Sequence, residues 1–383
     1  MLRAVRSLGV SAVWCLLLLV GCKDAGSQGS PPPAPRDAKT IDANPSTLAG
    51  PDIYAALCAQ CHGKDLKGYV ADNAPALNTT TFLESATDDF LTRSIVTGRP
   101  GTAMAAYGKN LGGPLDDAAV KRLVAFLREQ GPAAKTLPLA GKGDPALGEP
   151  IYVKQCAQCH GDRTVRRDGV HLANMMFQAQ AQDPFIKYAI VNGRPGTKMI
   201  GFANVLSDQE IDHVVAYVRS LGTAEQPKVS QLPPPTGKEP LVVNPKGKDP
   251  TWTLREDKYV AVDDVAKAYK AGQKMIIIDA RPPSDWMRSH ITGAVSIPYF
   301  DMKRLDEIPK NTWVIAYCAC PHHLSGIVID ELRKRGHKKA VVLDEGVNDW
   351  HRKGHPMTVA DGVQPPTAED HSGHNHGHQG HGH

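Results

Sequence analysis

The chain has 383 residues, 41% of them hydrophobic and 22% charged, enough for two or three domains with cores of their own, which excludes a fibre or a wholly disordered chain. Its 44 basic and 40 acidic residues leave a formal charge of +4, too near balance for a nucleic-acid surface, so no nucleic acid is expected among its partners.

Arg3 and Arg6 precede an apolar run over 10–20 that ends at Gly21-Cys22, the layout of a signal peptide over 1–21. The run is short for a membrane span; an uncleaved anchor and a plain secretory signal are the competing readings. Leu19-Val20-Gly21-Cys22 resembles a bacterial lipobox, and the resemblance implies cleavage before Cys22, lipidation of Cys22 and attachment to a membrane. Lys23 in the second mature position points to the outer membrane of a Gram-negative cell, on its periplasmic face. Residues 22–43 are rich in Pro, Ser, Gly and Ala and read as a flexible tether. Of the eight cysteines, Cys15 leaves with the signal and Cys22 carries lipid; the other six fall in close pairs, which suggests local chemistry over a disulfide framework.

Two of those pairs sit in repeated sequence. CAQCH occurs at Cys58–His62 and again at Cys156–His160, an offset of 98, and SIVTGRPGTAM ending at Met104 recurs as AIVNGRPGTKM ending at Met199, an offset of 95. The pattern indicates duplication of one fold, with the copies expected over 44–130 and 147–222 and a linker over 131–146. CxxCH is the attachment signature of haem: Cys58 and Cys61, and Cys156 and Cys159, supply thiols for two vinyl groups, and His62 and His160 offer an imidazole to iron. A redox dithiol and a zinc site completed by a fourth ligand are the alternatives. Met104 and Met199 each follow GRPGT by one residue, in a Gly/Pro segment able to approach a flat cofactor, and are the candidate second axial ligands. Met175 and Met176 are rivals in the second copy. Iron with both axial positions filled has no vacancy for substrate and carries electrons.

Each copy is expected to close with a helix, because Val120, Leu123, Val124 and Leu127 share one face, as do Ile211, Val214, Val215 and Val218. Ser207 and Glu210 form a capping-box pattern before the second, and Phe126 and Tyr217 occupy matching places suited to packing on the helix that carries the cysteines. Both copies resemble class I cytochrome c domains. The resemblance implies two all-α folds, two covalently attached haem c groups, and a loop that brings Met104 or Met199 across the haem. Arg99 and Arg194 are equivalent, and are either partners for haem propionates or solvent-facing turn residues.

Residues 223–251 are Pro-rich and read as a linker. Beyond them, apolar strands are expected over 275–279, 314–317 and 341–343, with helices over 260–271 and 326–334; the alternation predicts a parallel α/β sheet over 252–360. Cys318 follows a strand and precedes a helix, where such folds place active sites. Asp279-Ala-Arg281, the segment from His290 to Pro298, the Cys318 loop, and Leu343-Asp-Glu-Gly-Val-Asn-Asp-Trp350 resemble the rhodanese (sulfurtransferase) family. That resemblance implies a sulfur-accepting nucleophile at Cys318 and framework roles for Asp279 and Arg281. The loop CACPHHLSG has His323 where the family usually has Arg. Three readings of Cys318, Cys320, His322 and His323 stay open: a persulfide site with a second thiol, a soft-metal site, and an inactive fold retained to bind a partner. The tail over 361–383 is His-rich, disordered by composition and metal-avid.

The expected molecule is a multidomain, exported, lipid-anchored dihaem cytochrome with a rhodanese-like domain, exchanging electrons with redox partner proteins or a respiratory complex. Small sulfur compounds are the expected substrates if the third domain is active. Two competing functions are a sulfurtransferase or sulfur-compound oxidase that uses a Cys318 persulfide, and a docking subunit of a respiratory complex.

Overall fold

The computed structural model describes residues 44–222, 230–319, 322–363, 366, 368 and 369, all within one compact unit. Cys22, Cys320 and the histidines from His371 onward lie outside the described residues; the start of the tail, expected to be disordered, is instead ordered at 368–369, where it forms a strand.

In the first repeat, α1 (Gly50–Ile53) runs through a π-turn (Tyr54–Cys58) into α2 (Ala59–His62). Two helices follow, α3 (Thr80–Ser85) and α4 (Asp88–Thr97), and α5 (Asp117–Arg128) closes the repeat. The apolar face of α5 (Val120, Leu123, Val124, Leu127) is buried against Ile53, Tyr54 and Leu57. The crossing is tight: a Cβ on Gly50 would lie 2.4 Å from the Arg122 carbonyl oxygen. Phe126 packs on Tyr54 with ring centroids 5.4 Å apart.

The second repeat follows the same plan. α6 (Pro145–Gln155) leads to α7 (Ala157–His160), the short strand β1 (Val165–Arg166), α8 (Met175–Gln180), α9 (Asp183–Asn192) and α10 (Asp208–Ser220). Ser207 and Glu210 form the expected capping box at the start of α10. Tyr217 meets Tyr152 at 5.1 Å, as Phe126 meets Tyr54. Gly148 is the counterpart of Gly50, against the backbone of His213.

The α/β region contributes β2 (Tyr259–Val260), α11 (Val262–Lys270), β3 (Ile276–Asp279), α12 (Pro283–Trp286), β4 (Ser289–Ile291), β5 (Val295–Ser296), β6 (Val314–Tyr317), α13 (His323–Lys334), β7 (Ala340–Leu343), α14 (Gly346–Arg352) and β8 (Met357–Val359). A parallel sheet has the order β2-β7-β6-β3-β5, while β4 and β8 pair antiparallel. A final strand, β9 (Ala368–Glu369), returns to pair with β1. The central strands are apolar on both faces because both faces are covered. Ile277, Ile315, Tyr317 and Val341 point to α11 and α14, whereas Ile276, Ile278, Val314 and Val342 share a core with Val328 and Leu332 of α13. That second core continues without a break into Ile53, Leu57 and Leu123 of the first repeat. The α/β fold is therefore packed directly on one cytochrome-like repeat.

Candidate functional site

The two CAQCH segments fold alike in the details that matter for a ligand. His62 Nδ1 lies 2.8 Å from the Pro75 carbonyl oxygen, and His160 Nδ1 lies 2.8 Å from that of Val170. A carbonyl can only accept, so each Nδ1 carries the proton and each Nε2 presents a lone pair, the tautomer that a metal-binding imidazole needs. Burial pushes both imidazole pKa values below the ordinary histidine value, which keeps them neutral. Cys58, Cys61, Cys156 and Cys159 are free thiols; burial pushes Cys58 up to about 12 and Cys156 up to about 11. Tyr54 donates its hydroxyl to the Gly63 carbonyl at 2.7 Å, and Tyr152 does the same to Gly161 at 2.9 Å. These tyrosines clamp the turn after each histidine. Their shared position ahead of each CAQCH was the sequence signal that would have found them.

The methionine loops also coincide. Gly98 and Gly193 end α4 and α9 with φ of 62° and 64°, and ψ of −157° and −160°, a region open essentially to glycine alone. The Arg99 N–H donates to the Met104 carbonyl at 2.7 Å and the Arg194 N–H to that of Met199 at 2.7 Å. Met104 and Met199 N–H groups each donate to a threonine hydroxyl two residues back, Thr102 or Thr197, at 3.1 Å. Both methionines are half-buried. Of their rivals, Met175 is exposed and Met176 is packed inside. Imidazole tautomer, adjacent thiols and a matched methionine loop in each repeat fit haem c.

Arg99 and Arg194 are half-buried between the repeats: each donates to the glycine carbonyl before it, Gly98 or Gly193, and each also reaches across to the other repeat. Arg99 Nη1 donates to Gln180 Oε1 at 2.8 Å, and its equivalent Arg194 donates through Nη2 to Ser85 Oγ at 3.2 Å. Gln180 and Ser85 are themselves equivalent positions, so each arginine crosses to the same place on the other repeat. Phe90 and Phe185, another equivalent pair, stack at 4.7 Å between them. The repeats thus meet face to face through a pseudo-twofold contact. Burial pushes both guanidinium pKa values down to about 10.

Cys318 sits at the end of β6, 1% exposed, with Sγ 3.4 Å from Ser325 Oγ. His322 is held outward in a left-handed conformation (φ 70°): Nε2 is 2.5 Å from Asp344 Oδ1 and its ring lies tilted against Tyr259, with centroids 4.3 Å apart. Arg255 and His322 together hold the Asp344 carboxyl below the usual carboxylate range. His323 takes a different path. It meets the backbone of Gln60, inside the first CAQCH, and burial pushes its imidazole pKa down. Tyr299 and Tyr107 both donate to the Leu57 carbonyl, at 3.0 and 3.1 Å, and Ser284 Oγ donates to the Ala106 carbonyl at 2.5 Å. Asp279 and Arg281 form a buried bidentate pair joined by the Tyr317 hydroxyl at 2.9 Å, behind the loop.

Comparison with known proteins agrees with this division. The family described as cytochrome C oxidase, cbb3-type, subunit III matches residues 45–127 and 143–218, and the rhodanese-like domain matches 261–353. Tandem cytochrome c domains precede a rhodanese-like domain. The cytochrome part is similar to the cbb3-type cytochrome c oxidase subunit FixP of Bradyrhizobium sp., 27% identical over 197 residues, 48% of this chain and 65% of that protein. It is also similar to subunit CcoP of Azospirillum sp., 28% identical over 185 residues, 43% of this chain and 58% of that one. The chain therefore spans less than two thirds of the length of these relatives. Among solved structures, the Kuenenia stuttgartiensis reducing HAO-like protein complex aligns over 48% of this chain and 97% of its own at 18% identity, with a TM-score of 0.32. A rhodanese-like domain from Anabaena sp. aligns over 33% of this chain and 97% of its own at 21% identity, with a TM-score of 0.26. Among the described residues no helix is long and apolar enough to cross a membrane.

Proposed function

We propose that this chain is a dihaem electron carrier. The observation that carries the reading is the identity of the two ligand frames: His62 with the Met104 loop, and His160 with the Met199 loop, are braced by equivalent hydrogen bonds. Haem c, when bound, supplies a one-electron iron couple. The protein's part is to tether it through Cys58 and Cys61, or Cys156 and Cys159, to hold each histidine in the ligating tautomer, and to offer each methionine from a rigid loop. The stacked Phe90 and Phe185 keep the two repeats in fixed register. Replacing Cys58 and Cys61 by Ser tests this: the wild type should carry two haems per chain and the variant one, the survivor keeping a His–Met spectrum. A variant that retains two haems contradicts it.

The likeness to cbb3 oxidase subunits supports a redox partner within or beside a respiratory complex. Cleavage at Cys22 and lipidation would hold the chain on a membrane, at the periplasmic side. A labelled-lipid incorporation assay on Cys22→Ala tests the anchor.

A second reading has an observation of its own. His323, the first residue of α13, meets the first CAQCH at Gln60, and Cys318 shares a core with Cys58, so chemistry at Cys318 would take place beside the first cofactor site. Hydrogen sulfide and the Cys318 thiol would give a Cys318 persulfide, with two protons and two electrons released; a one-electron acceptor such as ferric haem would take the electrons in two steps. Stopped-flow reduction by sulfide, compared with Cys318→Ser, decides it: reduction lost in the variant supports a sulfur oxidase, and equal rates leave the electron carrier.

A further inference from the structure

The pseudo-twofold relation between the repeats is broken at one buried ion pair. Arg166, on β1 just after the second CAQCH, reaches into the first repeat, where its Nη2 lies 2.7 Å from Asp72 Oδ1 and 2.8 Å from the Asp72 carbonyl oxygen. The two side chains are only 6% and 14% exposed. The other carboxylate oxygen, Asp72 Oδ2, accepts the Ala103 N–H at 3.0 Å, one residue before Met104. Asn174, the N-cap of α8, adds a second hold on that loop by donating Nδ2 to the Pro100 carbonyl at 2.9 Å. The offset of 95 that matches the two imidazole acceptors, Pro75 and Val170, puts Arg167 in the place of Asp72, so the second repeat carries no carboxylate at that position.

We propose that Asp72 and Arg166 form an interlock through which the second repeat holds the axial-methionine loop of the first, making the first iron's sixth ligand dependent on the docked second repeat. The inference rests on Met104 as an axial ligand to a haem in the first pocket. Its physical basis is geometric: one carboxylate holds both the Arg166 guanidinium and the Ala103 N–H, so disturbing the buried pair disturbs the acceptor for the loop's own backbone. Asp72 and Arg166 are positioning residues: they act on Met104 through Ala103.

The test is carbon monoxide binding to the dithionite-reduced, full-length holoprotein, because carbon monoxide enters only when the thioether leaves the iron. Asp72→Asn keeps the shape and an acceptor for Ala103, so it should fold. In it and in Arg166→Gln, one of two kinetic phases should accelerate by roughly tenfold or more while the other stays at the wild-type rate. The double variant should be no faster than the singles, since they break one unit. Arg166→Lys, which retains the charge, should recover part of the effect. Unchanged phases in both singles, even with a lowered unfolding temperature, would mean an ordinary structural ion pair and overturn the proposal. A pyridine haemochrome count below two per wild-type chain, or no methionine-to-iron band, would remove the dihaem reading beneath it and overturn the proposal by that separate route.

Discussion

Replacing Gly98 by Ala should detach one methionine loop and leave the other untouched. At φ 62° and ψ −157° the backbone occupies a region that a residue with a Cβ enters at a cost of about 1–3 kcal/mol. The added Cβ would also lie 2.4 Å from the Ala105 carbonyl carbon and oxygen and 2.5 Å from the Met104 carbonyl oxygen, all backbone atoms that cannot swing away. Overpacking of that kind adds roughly 1–3 kcal/mol, so the loop faces a penalty of about 2–6 kcal/mol. The cheapest relief is for 99–104 to move off α4, breaking the Arg99-to-Met104 hydrogen bond and withdrawing the thioether. The methionine-to-iron charge-transfer absorption of the oxidised holoprotein should fall to about half, and the Gly193→Ala variant should lose the complementary half. The unfolding temperature should drop by roughly 2–7 °C. A Gly98→Ala protein with full charge-transfer intensity and an unchanged unfolding temperature would refute the reasoning.

Tyr299→Phe and Tyr107→Phe should each cost about 1 kcal/mol in urea unfolding, because the other hydroxyl still serves the Leu57 carbonyl; the double variant should cost clearly more than the sum, exposing the coupling across the contact with the rhodanese-like domain. Ser207→Ala should lose about 1 kcal/mol by removing the capping box of α10, measured by thermal unfolding of the holoprotein. Asp344 titrates below its unfolded value because Arg255 and His322 stabilise the carboxylate, so its contribution is fully present above the unfolded pKa of about 3.9 and is lost as pH falls through the depressed folded value. Asp344→Asn should therefore be less stable than wild type at pH 7 and converge with it in strong acid; a constant difference down to the lowest pH would contradict this assignment.

The parts of the site spelled by contiguous residues were readable in the sequence. CAQCH and GRPGT-x-Met each recur at a fixed offset, and that recurrence marks the two frames that the fold then builds alike. The parallel sheet was readable where strands are long and β-branched, as over 276–279 and 314–317. β2 and β5 were missed, because two residues carry no period to detect. What joins the repeats was hidden for a different reason. Arg99 with Gln180 and Arg166 with Asp72 are long-range pairs between ordinary polar residues, and nothing nearby in sequence names the partner. Arg99 and Arg194 are equivalent in the sequence, yet each also reaches to the opposite repeat, a destination that only the pseudo-twofold packing reveals. The contact of His323 with the backbone of Gln60 belongs to the same class. It depends on how two folds pack, and each fold alone is silent about it.

The central claim, two haem sites of His–Met type working as one carrier, is tested most directly by a coulometric reductive titration of the purified full-length holoprotein, followed optically. Uptake of two electrons per chain, with methionine-to-iron absorption accounted for by both sites and halved in Met104→Ala and in Met199→Ala, is the predicted result. Uptake of one electron, or a chain whose four CAQCH thiols all react freely with a thiol reagent, would contradict it.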